Sequence, residues 1–176
     1  MGNKENQKVI VKAGDVFAGR NPMALGRAIN AIQWFWSSDG ESKYSHAGII
    51  IDDFGTTLEA LWTVKSRNIF EAYKNEQVII ARPLCDNFLK EKAIERIKYE
   101  HFGQWYPFWR LPMHMFPPIA KIEAFGKLVC SELTAKYLWY TTCWGKQYKG
   151  VNPDTLADRW RDGDNFEVIF EGILLT

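Results

Sequence analysis

The chain carries three cysteines and three histidines, and a thiol becomes an effective nucleophile near neutral pH only where its surroundings favour the thiolate. Cys130 has such surroundings. In Leu128-Val129-Cys130-Ser131-Glu132-Leu133 a strand-like approach gives way to a helical stripe of Leu133, Tyr137 and Leu138, which sets the thiol in the first turn of a helix. There the positive end of the helix dipole and the unpaired backbone N–H groups favour thiolate, and the same N–H groups can hold an oxyanion. The competing reading is a buried structural cysteine, the common fate of a free thiol. Cys143, near the C-terminal end of the same helix, meets the negative end of the dipole, and Cys85 reads as structural.

A thiolate nucleophile needs a base, and His46, His101 and His114 are the candidates. His101 falls one turn past Ile97 on the apolar face of a helix, where a satisfied core or helix-end role suits it. His114 sits in an aromatic loop, where no partner can be named. His46 opens a strand and is followed by the small residues Ala47 and Gly48, which allow close approach; a surface or strand-capping role is its alternative. The nearby carboxylates that could orient its ring are Asp52, Asp53 and Glu59. If residues 52 to 55 form a hairpin loop, Ile51 opposes Thr56, Gly48 opposes Glu59 and His46 opposes Leu61. Glu59 then shares a face with His46 as a diagonal neighbour about 7–8 Å away along the backbone, with Gly48 leaving room between them. A loop one residue different turns Glu59 to the other face. Asp52 and Asp53 belong in the turn and are the fallback.

These residues must be positioned by a fold. Gly14 to Ala18 reads as a short strand, and Asn21-Pro22 as the cap and first position of a helix with the stripe Leu25, Ala28, Ile29, Ile32, Phe35, Trp36. His46–Asp52 and Thr57–Trp62 read as strands around the turn Asp53-Phe54-Gly55, and Gln77–Arg82 as a further strand. Asp86 or Asn87 caps a helix through Leu89, Ala93, Ile94 and Ile97. Helices follow from Cys130 to Thr142 and from Pro153, capped by Asn152, and a last strand covers Phe166–Phe170. Strands clustered in the middle and flanked by helices predict an α+β domain with a small antiparallel sheet packed against helices.

Composition sets the limits. At 176 residues with 47% hydrophobic and 24% charged residues, a single core over 1–176 is expected, with 1–7 a loose terminus. A net charge of +1 argues against a nucleic-acid partner. No apolar run reaches the roughly 18 residues of a membrane span, and the first residues lack the apolar stretch of a secretion signal, so the expected location is cytoplasmic. An odd number of cysteines without Cys-x-x-Cys spacing predicts free thiols, and no metal or organic cofactor is required.

Gly14-Asp15-Val16, Tyr44-Ser45-His46-Ala47-Gly48-Ile49-Ile50-Ile51, Leu58-Glu59-Ala60 and Val129-Cys130-Ser131-Glu132-Leu133 occur in an order that resembles the circularly permuted papain-like proteins of the NlpC superfamily. The YiiX/YebB branch is the nearer one, and the lecithin:retinol acyltransferase-like proteins are more distant. The resemblance implies a permuted papain-like fold with Cys130 as nucleophile, His46 as base and Glu59 as the third polar member. It implies a cysteine hydrolase, an amidase or peptidase working through a thioester. Asp15 is expected to be structural.

The departure from that pattern is the aromatic, proline-punctuated stretch from Gln104 to Pro118, read as a loop insertion because its prolines forbid a regular helix or central strand. Trp105 and Tyr106 are its candidate substrate contacts, and Tyr44 is either a cleft residue or a packed strand-entry aromatic. Three functions stay open: cleavage of a small peptide or peptidoglycan fragment, a lipid-directed acyltransferase or hydrolase making peripheral membrane contact through the loop, and a non-catalytic binding or assembly module.

Overall fold

The computed structural model describes residues 9–20, 43–105, 128–145 and 148–175. Six strands, β1 (Val16–Gly19), β2 (His46–Ile50), β3 (Thr56–Ala60), β4 (Val64–Asn68), β5 (Gln77–Pro83) and β6 (Phe166–Ile173), form one sheet in the order β4-β3-β2-β1-β5-β6. Every neighbouring pair is antiparallel. The helices among the described residues are α1 (Ile69–Ala72), α2 (Asn87–His101), α3 (Cys130–Tyr140) and α4 (Pro153–Asp162). This is the expected α+β class.

Both faces of the sheet are covered, so the central strands are buried throughout and read as the unbroken apolar run Ala47-Gly48-Ile49-Ile50 instead of an in–out alternation. On one face Val16, Ala18, Ala47, Ile49, Leu58 and Ile79 pack against Ile97 of α2, Leu133 and Leu138 of α3 and Leu156 of α4. On the other, Phe17, Ile50, Val78 and Ile80 pack against Val11, Ile69, Tyr73 and Leu174. The edge strands are polar: Lys65 and Ser66 on β4 and Glu167 on β6 are exposed, which discourages further strand pairing.

Local chemistry fixes the junctions. Asp52 accepts the N–H groups of Phe54 (3.0 Å) and Thr56 (2.9 Å), and Gly55 takes the left-handed φ of 84° that the turn requires. With residues 52 to 55 as the loop, Ile49 pairs with Leu58 and Ile50 with Thr57, the register in which Gly48 faces Glu59. Asp86 caps α2 through the N–H of Phe88, and Asn152 caps α4 through that of Thr155. Two elements escape the sequence pattern, β4 and α1. Val64-Lys65-Ser66-Arg67-Asn68 has one buried side chain, Val64, and so lacks the alternation that marks a half-buried strand.

The helix expected after Asn21 and the aromatic stretch from Tyr106 onward, including His114, lie outside the described residues. Among those described, no helix is long and apolar enough to cross a membrane.

Candidate active site

Val129 is extended and Cys130 is the first residue of α3. Valine has no side-chain oxygen to cap the helix. Glu132 supplies the return half of a capping box, accepting the N–H of Val129 at 3.3 Å and that of Gly150 at 3.0 Å. Ser131 donates to the carbonyl of Val151. The buried start of α3 is thus tied to the segment leading into α4, and Cys130 is held rigidly at 4% exposure.

His46 and Cys130 belong to different layers. His46 alternates with Ala47, so its ring lies on the face of Phe17 and Tyr73, 6.4 Å from the Tyr73 ring and nearly parallel to it. Cys130 belongs to the opposite, helix-covered core. They meet at the end of the sheet where β2 begins. Toward that end the pairing of β2 with β3 stops at Ile49 and Leu58, whereas the pairing of β2 with β1 continues to His46 and Gly19. The backbone N–H of Ala47, together with that of Ser131, donates to the Cys130 sulfur.

His46 Nε2 lies 2.9 Å from Glu59 Oε2, which leaves Nδ1 as the ring nitrogen for the Cys130 sulfur, with which His46 shares a side-chain hydrogen bond. Burial alone would push the Cys130 thiol up. The facing imidazolium, its hydrogen bond and the two backbone donors outweigh burial, and the thiol is held below its ordinary value. Burial likewise works against a charged His46, but the Cys130 thiolate and then Glu59 raise it to about 9. The two shifts are one coupling, in which each buried group favours the charged form of the other.

Glu59 is fully buried and saturated with donors. Its Oε2 takes His46, Arg67 Nη2 at 2.6 Å and the Tyr73 hydroxyl at 2.8 Å; its Oε1 takes the Thr57 hydroxyl and Arg67 Nε at 3.3 Å. Burial opposes the carboxylate, yet His46 and Arg67 bring it down to about 2. Gly48 makes this possible. A Cβ there would come within 2.6 Å of the Phe17 ring and 2.9 Å of Glu59 Cγ.

The structure therefore brings together Cys130, His46 and Glu59. The fallback carboxylates stay in the turn, Asp52 on its own loop and Asp53 accepting the N–H of Ala13. His101 is a helix-end residue, 3.0 Å from Gln104 and 2.9 Å from Lys136. Asp15 is a structural anchor, bound by both Arg82 Nε and Nη2. Tyr44 is 1% exposed, in the position of a packed strand-entry aromatic, and donates to Glu171 at 2.9 Å. Trp105 is 68% exposed and bridges to Thr63; Tyr106 lies outside the described residues.

Sequence reasoning missed Arg67, Tyr73 and Thr57, which hold Glu59. Arg67 stands opposite Thr57 on the unanticipated β4, and is therefore a diagonal neighbour of Glu59. The available signal was a lone arginine in a short polar segment after a strand, too weak to place without the sheet.

No protein-family model matches the chain, and no curated protein does. Among solved structures it is similar to one described as metalloprotein YiiX (DUF1105) from Escherichia coli O157:H7, with a TM-score of 0.54 and 16% identity over 94% of this chain and 88% of that one. At that identity the likeness is one of fold: the chain has a YiiX-like fold.

Proposed function

We propose that this protein is a thiol-dependent hydrolase that cleaves an amide bond through Cys130, His46 and Glu59, acting on short peptides such as those of cell walls. The observation that carries this reading is that a single imidazole bonds both a buried carboxylate and a cysteine seated at a helix N-terminus. The YiiX-like fold supports it at the level of architecture.

In the proposed reaction the Cys130 thiolate attacks the amide carbonyl carbon, and backbone N–H groups at the start of α3 stabilise the oxyanion. The tetrahedral intermediate collapses, His46 gives its proton to the departing amine, and a thioester remains on Cys130. His46, now neutral, takes a proton from water as the water attacks the thioester, releasing the carboxylic acid and restoring the ion pair. Glu59, fixed by Arg67 and Tyr73, keeps the ring oriented and supports its positive charge.

The fold neighbour is described as a metalloprotein, so the fit of the site to a metal matters. Among the described residues no group of three or more His, Cys, Asp or Glu side chains could hold an ion. Both oxygens of Glu59 are committed to Arg67, Tyr73, Thr57 and His46. The described residues around Cys130, His46 and Glu59 do not fit a metal centre.

The test is the pH dependence of iodoacetamide labelling, resolved by peptide mapping to Cys130. In the wild type, labelling begins well below the ~8.5 of a free thiol; in His46→Ala its midpoint moves up to about that value. If both proteins label Cys130 only above about pH 8, the proposal is wrong. Release of amines from short peptides is expected to disappear in Cys130→Ser.

A further inference from the structure

The hydrogen bonds of the site run on past Glu59 to one further charged group. Arg67 on β4 puts Nη2 2.6 Å from Glu59 Oε2, the same oxygen that takes His46 Nε2 at 2.9 Å, and puts Nε 3.3 Å from Oε1. Two nitrogens bonded to one oxygen at those lengths lie within about 5.5 Å of each other, inside the range where one charge moves the titration of another by roughly one to three pH units. One carboxylate is shared by two cations.

The guanidinium is held from a second side. Its Nη2 also donates to the Tyr73 hydroxyl at 3.1 Å, and its carbon lies 5.3 Å from the centre of the Tyr73 ring. The Arg67 side chain is 25% exposed, whereas Glu59 is fully buried. Cys130, His46, Glu59 and Arg67 therefore form a chain that starts in the helix-covered core and reaches solvent at β4.

The consequence for His46 is electrostatic. Among the described residues, the titratable groups facing its ring are Cys130 from α3, Glu59 from β3 and the Tyr73 hydroxyl after α1; Phe17 of β1 contributes an uncharged ring. Burial holds Tyr73 well above its ordinary value, so it stays a neutral donor. Against burial, Cys130 and then Glu59 raise His46 to about 9. Arg67 acts in the other direction, because it draws on the oxygen that supports the imidazolium.

We propose that Arg67 is a positioning residue for His46: acting through Glu59, it divides the carboxylate's charge between two cations and so weakens the hold on the His46 proton. Without the guanidinium, Glu59 answers to His46 alone, and the imidazolium becomes a weaker acid. In the reaction proposed above, and resting on that reading, Arg67 eases the proton transfer from His46 to the departing amine.

The test is the titration of His46 followed by NMR in the full chain carrying Cys130→Ser, which removes the thiolate and makes the readout independent of turnover. The resonance is assigned by its loss in His46→Asn. Arg67→Gln keeps a donor on β4 and loses the charge, so the His46 midpoint is expected to rise by about one pH unit. Arg67→Lys keeps the charge and is expected to restore the starting midpoint. A companion measurement needs no change at Arg67: its Nε–H resonance is expected to shift with the midpoint of His46, because the two groups share one carboxylate. With Cys130 intact, the alkaline limb of amine release is expected to move up in Arg67→Gln by the same amount as the His46 midpoint. An unmoved His46 midpoint in folded Arg67→Gln, an equal rise in Arg67→Lys, or an Arg67 resonance indifferent to the protonation of His46 overturns the proposal. A His46 shift as expected in a chain that releases no amines supports the action of Arg67 on His46 and overturns the hydrolase reading instead.

Discussion

Replacing Glu59 by Gln tests the electrostatic core of the site while keeping its shape. The wild-type carboxylate accepts five hydrogen bonds from four side chains. An amide has one acceptor oxygen, so either orientation of Gln places its NH2 against donors, Arg67 and Tyr73 on one side or Arg67 and Thr57 on the other. The carboxylate is held at about 2 against an ordinary 4.5, a preference for the charged form worth roughly 3 kcal/mol at 1.36 kcal/mol per pH unit. That agrees with the ~3–5 kcal/mol typical of breaking a buried ion pair. With a urea slope of roughly 2 kcal/mol per molar, Glu59→Gln should lower the unfolding midpoint at neutral pH by about 1.5 M.

The pH dependence of that loss has a definite sign. A depressed carboxylate contributes fully above about 4.5 and loses its contribution as pH falls toward about 2. His46, raised to about 9, contributes fully below its ordinary 6.5 and loses its contribution as pH rises through about 9. The gap between wild type and variant should therefore be widest between those ordinary values, closing on the acid side and narrowing on the alkaline side. In the same variant His46 loses its counterion, and the Cys130 labelling midpoint should rise by roughly one pH unit. Equal urea midpoints at neutral pH together with an unmoved Cys130 profile would refute the assignment of Glu59 as the charged partner of His46.

Gly48→Ala should destabilise the fold by about 1–3 kcal/mol, since the new methyl meets the Phe17 ring and Glu59 Cγ, and should depress peptide hydrolysis; thermal unfolding and the hydrolysis rate read both. Tyr73→Phe removes one donor from Glu59 while Arg67 and His46 remain, so a loss of about 1 kcal/mol in urea unfolding is expected with little change in Cys130 labelling. Peptide hydrolysis should follow a bell against pH, rising below the free-thiol range as Cys130 ionises and falling as His46 loses its proton near 9. Arg82→Met uncouples Asp15 from β5 and should lower stability by about 2–3 kcal/mol, with Cys130 labelling unchanged because Asp15 takes no part in the site.

The sequence by itself determined the parts governed by short-range chemistry. Asp52 and Gly55 set the hairpin loop, which fixed the β2–β3 register and put Glu59 on the face of His46. Asp86 and Asn152 marked where α2 and α4 begin, and the change from an extended approach to a helical stripe put Cys130 at the start of α3. Tertiary structure decided what depends on residues far apart in the chain. That His46 and Cys130 reach each other from opposite layers follows from where β2 parts from β3, and that Arg67 and Tyr73 saturate Glu59 follows from β4 pairing at the sheet edge. Turns and caps are local hydrogen bonds between near neighbours, readable in a few residues, whereas these contacts exist only once strands and helices from distant segments have been brought together by burial of their apolar faces.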